Sequence, residues 1–495
     1  MITLGIDIGS SSIKVSLFDA SKGESIGNAS YPPHEMEILT PKHDWAEQSP
    51  ESWMDNLQHA IDLLKRNHHQ ILKQVKSIGI TYQMHGLVLM DADGLVIRNS
   101  IIWCDSRAVT IGNKAFDELG KDFCQRHLLN SPGNFTASKL RWVKEFEPEN
   151  FQKIHKFMLP GDYVAFRLTN TAATTTSGLS EGIFWDFEKN AISEDILRYY
   201  GFSKEIIPDV VETFSFQGEL TSEMAEKFGL TPGITVTYRA GDQPNNALSL
   251  KVLHPGEVAA TAGTSGVVYG VTDSKKYDPK SRVNTFLHIN NSKERPRLGI
   301  LLCLNSAGIL NSWAKHQISG TNTSYDAMNA LAMEVPEGAD GVVILPFGNG
   351  AERVLENQNI GASIHGLNVA MHHNKYLFRA LQESIAFAFN YGIGIMQPMG
   401  LNLSVIRAGK SNMFLSPLFA QTLSNVTGAV IELYKTDGAE GAARGAAIGA
   451  GFYASPDEAF RNFKILETIT PNPGSRIKDY YSNWVNLLNH RLELK

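Results

Sequence analysis

The stretch Ile2-Thr3-Leu4-Gly5-Ile6-Asp7-Ile8-Gly9-Ser10-Ser11-Ser12-Ile13-Lys14-Val15-Ser16-Leu17-Phe18 decides how the rest of the chain is read. Ile2 to Ile6 has the apolar, β-branched character of a strand, Asp7 to Ser12 is a tight polar turn, and Ile13 to Phe18 returns with apolar residues at alternate positions. The pattern predicts a hairpin. A dinucleotide fingerprint would need a strand, a Gly-x-Gly-x-x-Gly turn and a helix, and Gly5 and Gly9 lack that spacing, so nicotinamide-dependent oxidoreduction is disfavoured.

The same order returns in the second half. Val258 to Ala262 reads as a strand, Gly263-Thr264-Ser265-Gly266 as a small polar turn, and Val267-Val268-Tyr269 as the returning strand. Two related halves, 1–245 and 246–495, explain both this echo and a length of 495 residues. Around the hairpins, Ser49-Pro50 caps an amphipathic helix expected over about 50–67, and Val75 to Ile80 makes a strand that ends at Gln83-Met84-His85-Gly86. A second hairpin is expected across Asp91-Ala92-Asp93-Gly94, between Leu87–Met90 and Leu95–Ile97. Later come a helix around 376–389, a strand Leu401–Ile406, and a helix from about Gly441. Gly441, Gly445 and Gly449 share one face of that helix, suited to close approach of backbone or ligand.

Composition excludes several classes of partner. Hydrophobic residues make up 43% and charged residues 19%, so the chain can build cores and is not disordered. A formal charge of -6 offers no field to gather nucleic acid or anionic lipid, and no apolar run reaches membrane-spanning length. Cys104, Cys124 and Cys303 lack zinc or disulfide spacing, and no secretory leader opens the sequence, so the cytoplasm is the expected compartment.

Several polar groups can carry chemistry. Asp7, beside Ser10-Ser11-Ser12, can hold Mg²⁺ through water while the turn's hydroxyl and N–H groups face phosphate oxygens; the same carboxylate would serve equally as a plain turn cap. The Gly263–Gly266 turn matches it, and two such turns facing each other would surround a polyphosphate with donors. No Walker A sequence is present. Asp242 follows Tyr238-Arg239-Ala240-Gly241 at a strand end, where a carboxylate can take the proton of an attacking hydroxyl; an Asx-turn before Pro244 is the structural alternative. Gln83, Met84 and His85, with Asp105 and Arg107, supply the directional groups that bind a small polyol. A surface Asp105–Arg107 ion pair and a Trp103 packed in the core are the competing readings.

Taken together, these motifs resemble the FGGY carbohydrate kinase family, and they do so along almost the whole chain. The resemblance is carried by Gln83-Met84-His85-Gly86, by Trp103-Cys104-Asp105-Ser106-Arg107, and by the shared order of Trp45–Gln48, Pro50–Trp53, Phe135–Leu140, Leu159–Tyr163 and Arg167–Thr169. It is nearest to the members that phosphorylate xylulose. It implies an α/β fold of duplicated ribonuclease H-like (actin-like) domains with an interdomain active-site cleft, ATP and Mg²⁺ as cofactors, and transfer to a ketose such as D-xylulose. It also implies Asp242 as catalytic base, Asp7 as metal-associated, and Gln83, Met84, His85, Asp105 and Asp242 as sugar contacts. Gly9, Ser10, Ser11, Gly263, Thr264 and Ser265 would orient phosphates, with Gly409 and Lys410 on the adenosine side. Two departures stand out: Arg407-Ala408-Gly409-Lys410-Ser411 replaces a run of glycines, and Gln243-Pro244-Asn245-Asn246 replaces the usual residues after the base. Ribulose, another ketose or a small polyol remain alternative acceptors, and a sugar sensor without turnover is the non-enzymatic alternative. The expected partners are the ketose and ATP, with no nucleic acid and no membrane, and a homodimer is allowed.

Overall fold

The computed structural model describes residues 1–318 and 323–494. They form two compact units, one of residues 1–253, 285–299 and 436–463, the other of residues 254–284, 300–435 and 464–495. The units interleave along the sequence, because the helix Gly438–Gly449 packs on the sheet of the first unit.

In the first unit the strands are β1 (Ile2–Ile8), β2 (Ile13–Asp19), β3 (Glu24–Tyr31), β4 (Val75–Tyr82) and β5 (Thr235–Gly241), in the order β5-β4-β1-β2-β3. The expected hairpin is present: β1 and β2 are antiparallel, with Asp7 opposite Lys14 and Ile8 opposite Ile13, and the Gly9 N–H donates to the Ser12 carbonyl at 3.2 Å. β1 runs parallel to β4, and β4 to β5, so all three present their carboxyl ends at one edge. Ligands bind at that edge in open α/β sheets.

Alternation along β1 separates its two faces. Leu4, Ile6 and Ile8 are fully buried in one cluster with Trp53, Leu57, Ile61 and Leu64 of helix α1 (Pro50–Leu72). Helix α1 runs past the expected end at 67, and that end coincides with a kink at His68. The other face meets Gly438–Gly449. Thr3 Oγ1 donates to the Ala443 carbonyl at 2.7 Å, and a Cβ on Gly5 would lie 1.8 Å from the Ala439 oxygen. Gly79 of β4 is equally close, with a Cβ falling 2.0 Å from the Ala442 oxygen. The helix face formed by Gly441, Gly445 and Gly449 lies against Ser249, Tyr238 and Thr237, so it serves backbone packing.

The second unit repeats the plan with β6 (Glu257–Ala262), β7 (Gly266–Thr272), β8 (Leu298–Leu304), β9 (Val405–Gly409), β10 (Val430–Tyr434) and β11 (Glu467–Ile469), ordered β8-β7-β6-β9-β10-β11. β6–β7 is the second antiparallel hairpin, and β6–β9 and β9–β10 are parallel, as β1–β4 and β4–β5 are. The duplicated fold is therefore present. Two expectations shift. The strand expected at Leu401–Ile406 is β9, which starts at Val405, where pairing with Glu257 begins, and carries Arg407-Ala408-Gly409 inside it. The Asp91–Gly94 turn forms, but its second arm is a single Met90–Val96 bridge, and Val88–Met90 pairs mainly with Lys156–Met158. The helix expected at 376–389 spans Asn374–Met396. Among the described residues, no helix is long and apolar enough to cross a membrane.

Candidate active site

The carboxyl ends of β1, β4 and β5 bring together three of the groups singled out in the sequence. Asp7 lies at the end of β1, Gln83-Met84-His85 follow β4, and Asp242 opens helix α2 (Asp242–Ser249) directly after β5. Asp7 and Asp242 are only partly exposed. Burial, and then the nearby negative charge of Asp7, pushes the Asp242 carboxyl up to about 7. Burial also raises Asp7, to about 6; Lys14 opposes the rise and Asp437 adds to it. A carboxyl that titrates near neutrality is suited to accept a proton at working pH.

The residues after β4 surround this pair. Met84 is buried with its side chain against Gly241, where an added Cβ would fall 2.6 Å from the Met84 Cγ and 2.4 Å from the Glu181 Oε2. His85 adopts a left-handed backbone conformation with φ +62°. Its Nδ1 lies 3.1 Å from the Glu181 carbonyl, which can only accept, so Nδ1 is the donor in that bond. The imidazole packs edge-on to Phe135 at 4.7 Å and against Phe286 at 5.5 Å. Gln83 faces inward. Its Nε2 donates to Gln48 Oε1 at 3.0 Å, and Gln48 Nε2 donates to the Ser10 carbonyl at 2.8 Å, which ties the end of β4 to the first turn.

Asp105 lies elsewhere in function. It is fully buried, and its carboxylate accepts from the Ala46 N–H at 2.7 Å, the Arg107 N–H at 2.9 Å and the Arg107 guanidinium at 2.7 Å. Those bonds leave no room for a sugar hydroxyl, so the expected sugar contact is an internal brace, and the pair is buried instead of lying on the surface. Trp103, by contrast, is 53% exposed, and its indole N–H points to Ser10 Oγ at 3.4 Å. Asn245, one of the departures after the base, is also internal. It accepts from the Tyr238 hydroxyl at 3.1 Å and donates to the Gly438 carbonyl at 2.9 Å.

Two buried groups were not foreseen from the sequence. Glu181 is 2% exposed beside the His85 amide, and burial holds its carboxyl well above the usual range, with Asp242 and Asp162 adding to the rise. Lys139 is fully buried, and its Nζ donates at 2.9 Å to each of the His85 and Ile102 carbonyls. Lys139 falls within a family-like stretch, but nothing in the spacing signals what it bonds. Glu181 has no local signature at all.

In the second unit, Gly263 and Thr264 line a cavity of about 450 Å³ with Gly308, Asn311, Tyr325 and Asn412. The Gly308 and Ile309 N–H groups, opening the helix Gly308–Gln317, donate to the Gly263 and Thr264 carbonyls at 2.8 and 3.0 Å. A trans peptide sets C=O and N–H on opposite sides, so the Thr264 and Ser265 N–H groups point away from that helix. Gly409 and Lys410 do not line the cavity; residues 412, 413, 415 and 416 do. Lys410 pairs with Glu467 at 3.0 Å, and Arg407 is buried between Glu257 and Glu432, each at 2.8 Å. The extra positive charge of segment 407–411 is thus spent within the unit.

Among the described residues no cluster of three or more His, Cys, Asp or Glu side chains is placed to hold a metal unaided. Asp7 meets the looser demand of Mg²⁺, which keeps several waters and leans on one or two carboxylates and substrate phosphates. Burial is the main cause that raises both carboxyls, with Asp437 adding to the rise of Asp7 and Asp7 to that of Asp242, and a cation would offset this.

Comparison with known proteins fits these features. The N-terminal domain of the FGGY family of carbohydrate kinases matches residues 2–249, and the C-terminal domain matches residues 258–454. The xylulose kinase of Bacillus subtilis is 29% identical over 99% of this chain and 97% of its own length. That of Haemophilus influenzae is 28% identical over 99% of both. The crystal structure of a xyloylose kinase from Brucella ovis has a TM-score of 0.91 at 25% identity and covers 100% of both chains.

Proposed function

The chain belongs to the FGGY family of carbohydrate kinases, and from that premise we propose that it transfers the γ-phosphoryl group of ATP to D-xylulose, giving D-xylulose 5-phosphate. The observation that carries the reading is the pairing of Asp242, raised to about 7, with the His85 turn at one sheet edge. Full-length likeness to xylulose kinases supports the choice of sugar.

In this reading the ketose lies over Met84 and His85, with Trp103 beside it and its terminal hydroxyl toward Asp242. Ionised Asp242 accepts the hydroxyl proton as that oxygen bonds to the γ-phosphorus and the bond to the ADP oxygen breaks. Asp7 would hold Mg²⁺, which supplies charge neutralisation on the phosphates when bound. The Gly9–Ser11 turn and the N–H groups of Thr264 and Ser265 orient phosphate oxygens, and the cavity lined by Gly263 and Asn412 takes the nucleotide. Cys104, Cys124 and Cys303 form no disulfide, which suits a cytoplasmic enzyme.

The test is a panel of D-xylulose, D-ribulose, other ketoses and glycerol with ATP and Mg²⁺, read as ADP formed. We expect kcat/KM for D-xylulose at least tenfold above the others. A different preferred sugar overturns the substrate, and sugar binding without ADP formation overturns the kinase in favour of a sensor.

A further inference from the structure

Lys139 is a buried ionisable group that the transfer chemistry leaves without a task. It projects from the helix Thr136–Phe146 into a fully enclosed position and, among the described residues, makes no ion pair with a carboxylate. Its two bonds go to backbone carbonyls, those of His85 and Ile102. Burial pushes its ammonium down to about 7, with the charge of Asp105 opposing the fall. A buried amine is an unfavourable filler, because desolvating it carries a cost that an apolar side chain of the same length does not.

What the amine holds gives the reason for its presence. His85 has φ +62°, a conformation that is strained for a non-glycine residue and persists only where the surroundings impose it. Ile102 immediately precedes Trp103, the half-exposed indole beside Ser10. One ammonium therefore joins the His85 carbonyl to the carbonyl of the residue just before Trp103. We propose that Lys139 is a positioning residue for the sugar: by bonding the His85 and Ile102 carbonyls it fixes the two backbone segments from which His85 and Trp103 reach the acceptor. This inference rests on the sugar-kinase reading above.

The test is a double-mutant cycle of Lys139→Met and His85→Ala in the full-length enzyme, read by calorimetric D-xylulose binding and by steady-state kinetics. Lys139→Met should weaken D-xylulose binding and raise its KM at least tenfold, while KM for ATP stays within about twofold. In the His85→Ala background the same change should add less than threefold, because the residue acts through His85. An unchanged sugar KM, or losses that multiply, overturns the proposal, since a merely structural lysine would lower folded enzyme without this split. If Lys139→Met does not fold, Lys139→Gln, which keeps one donor, is carried through the same cycle under the same criteria. D-xylulose binding by the wild type without turnover overturns only the kinase reading; absence of binding overturns both.

Discussion

The two sheets share a strand order and differ in what stands at their carboxyl edges. In the first, β1, β4 and β5 end in Asp7, the His85 turn and Asp242, groups that remain partly open, and burial raises both carboxyls toward neutrality. In the second, the matching β6, β9 and β10 lead into Gly263-Thr264-Ser265, Lys410 and Lys435, and the charge on β9 is consumed by the Glu257–Arg407–Glu432 group. The same backbone plan thus hosts carboxyls raised by burial once and a glycine-lined cavity once. Fold sets where a ligand can approach; the residues at the strand ends decide what happens there.

The sharpest way to break this contrast is Asp242→Asn. It should lower kcat about 10³-fold, within the range of general-base catalysis, while calorimetric sugar affinity shifts less than about threefold. Turnover near the wild-type value would remove the first edge's claim to the chemistry. Next in size is Arg407→Met in the second sheet. It leaves Glu257 and Glu432 facing each other and should cost about 3 kcal/mol in denaturant unfolding, with kcat nearly unchanged in the folded fraction. A loss of ATP affinity without loss of stability would instead make Arg407 a nucleotide ligand.

A smaller effect sharpens the first edge. Since Asp242 must be ionised to accept a proton and its carboxyl is held at about 7, kcat/KM should fall about tenfold per unit as pH drops below about 7 and level off above it. An unperturbed carboxylate would keep the rate flat to near pH 4. The linked stability has the opposite sense. The fold retains this proton where the unfolded chain has lost it, so stability should decline as pH rises from about 4 to about 7. The smallest effect expected is Lys410→Ala, whose half-exposed pair with Glu467 should contribute less than about 0.5 kcal/mol and leave KM for ATP unchanged.

The hairpins, and with them the duplicated fold, were legible because apolar alternation interrupted by a Gly-containing polar turn is a local pattern. Asp7, Met84, His85 and Asp242 were legible for the same reason: each stands at a strand end that the pattern itself marks. Asp105 misled, because a carboxylate near an arginine looks alike in sequence whether it faces a ligand or the internal donors of Ala46 and Arg107. Glu181 and Lys139 were invisible as site components, since their partners lie in segments far apart along the chain, at His85 and Ile102. The noncontiguous units escaped notice for a like reason: the small residues of Gly438–Gly449 advertise a close approach but not the sheet that is approached.

That last helix also constrains how the molecule can be made. The floor of the first sheet, at Gly5 and Gly79, is covered by residues 439 and 442, which leave the ribosome long after both strands. Until then β1 and β4 present a bare glycine-lined surface, so the amino-terminal portion must wait, incompletely closed, until that helix is made. A fragment cut at residue 245 would inherit that gap permanently.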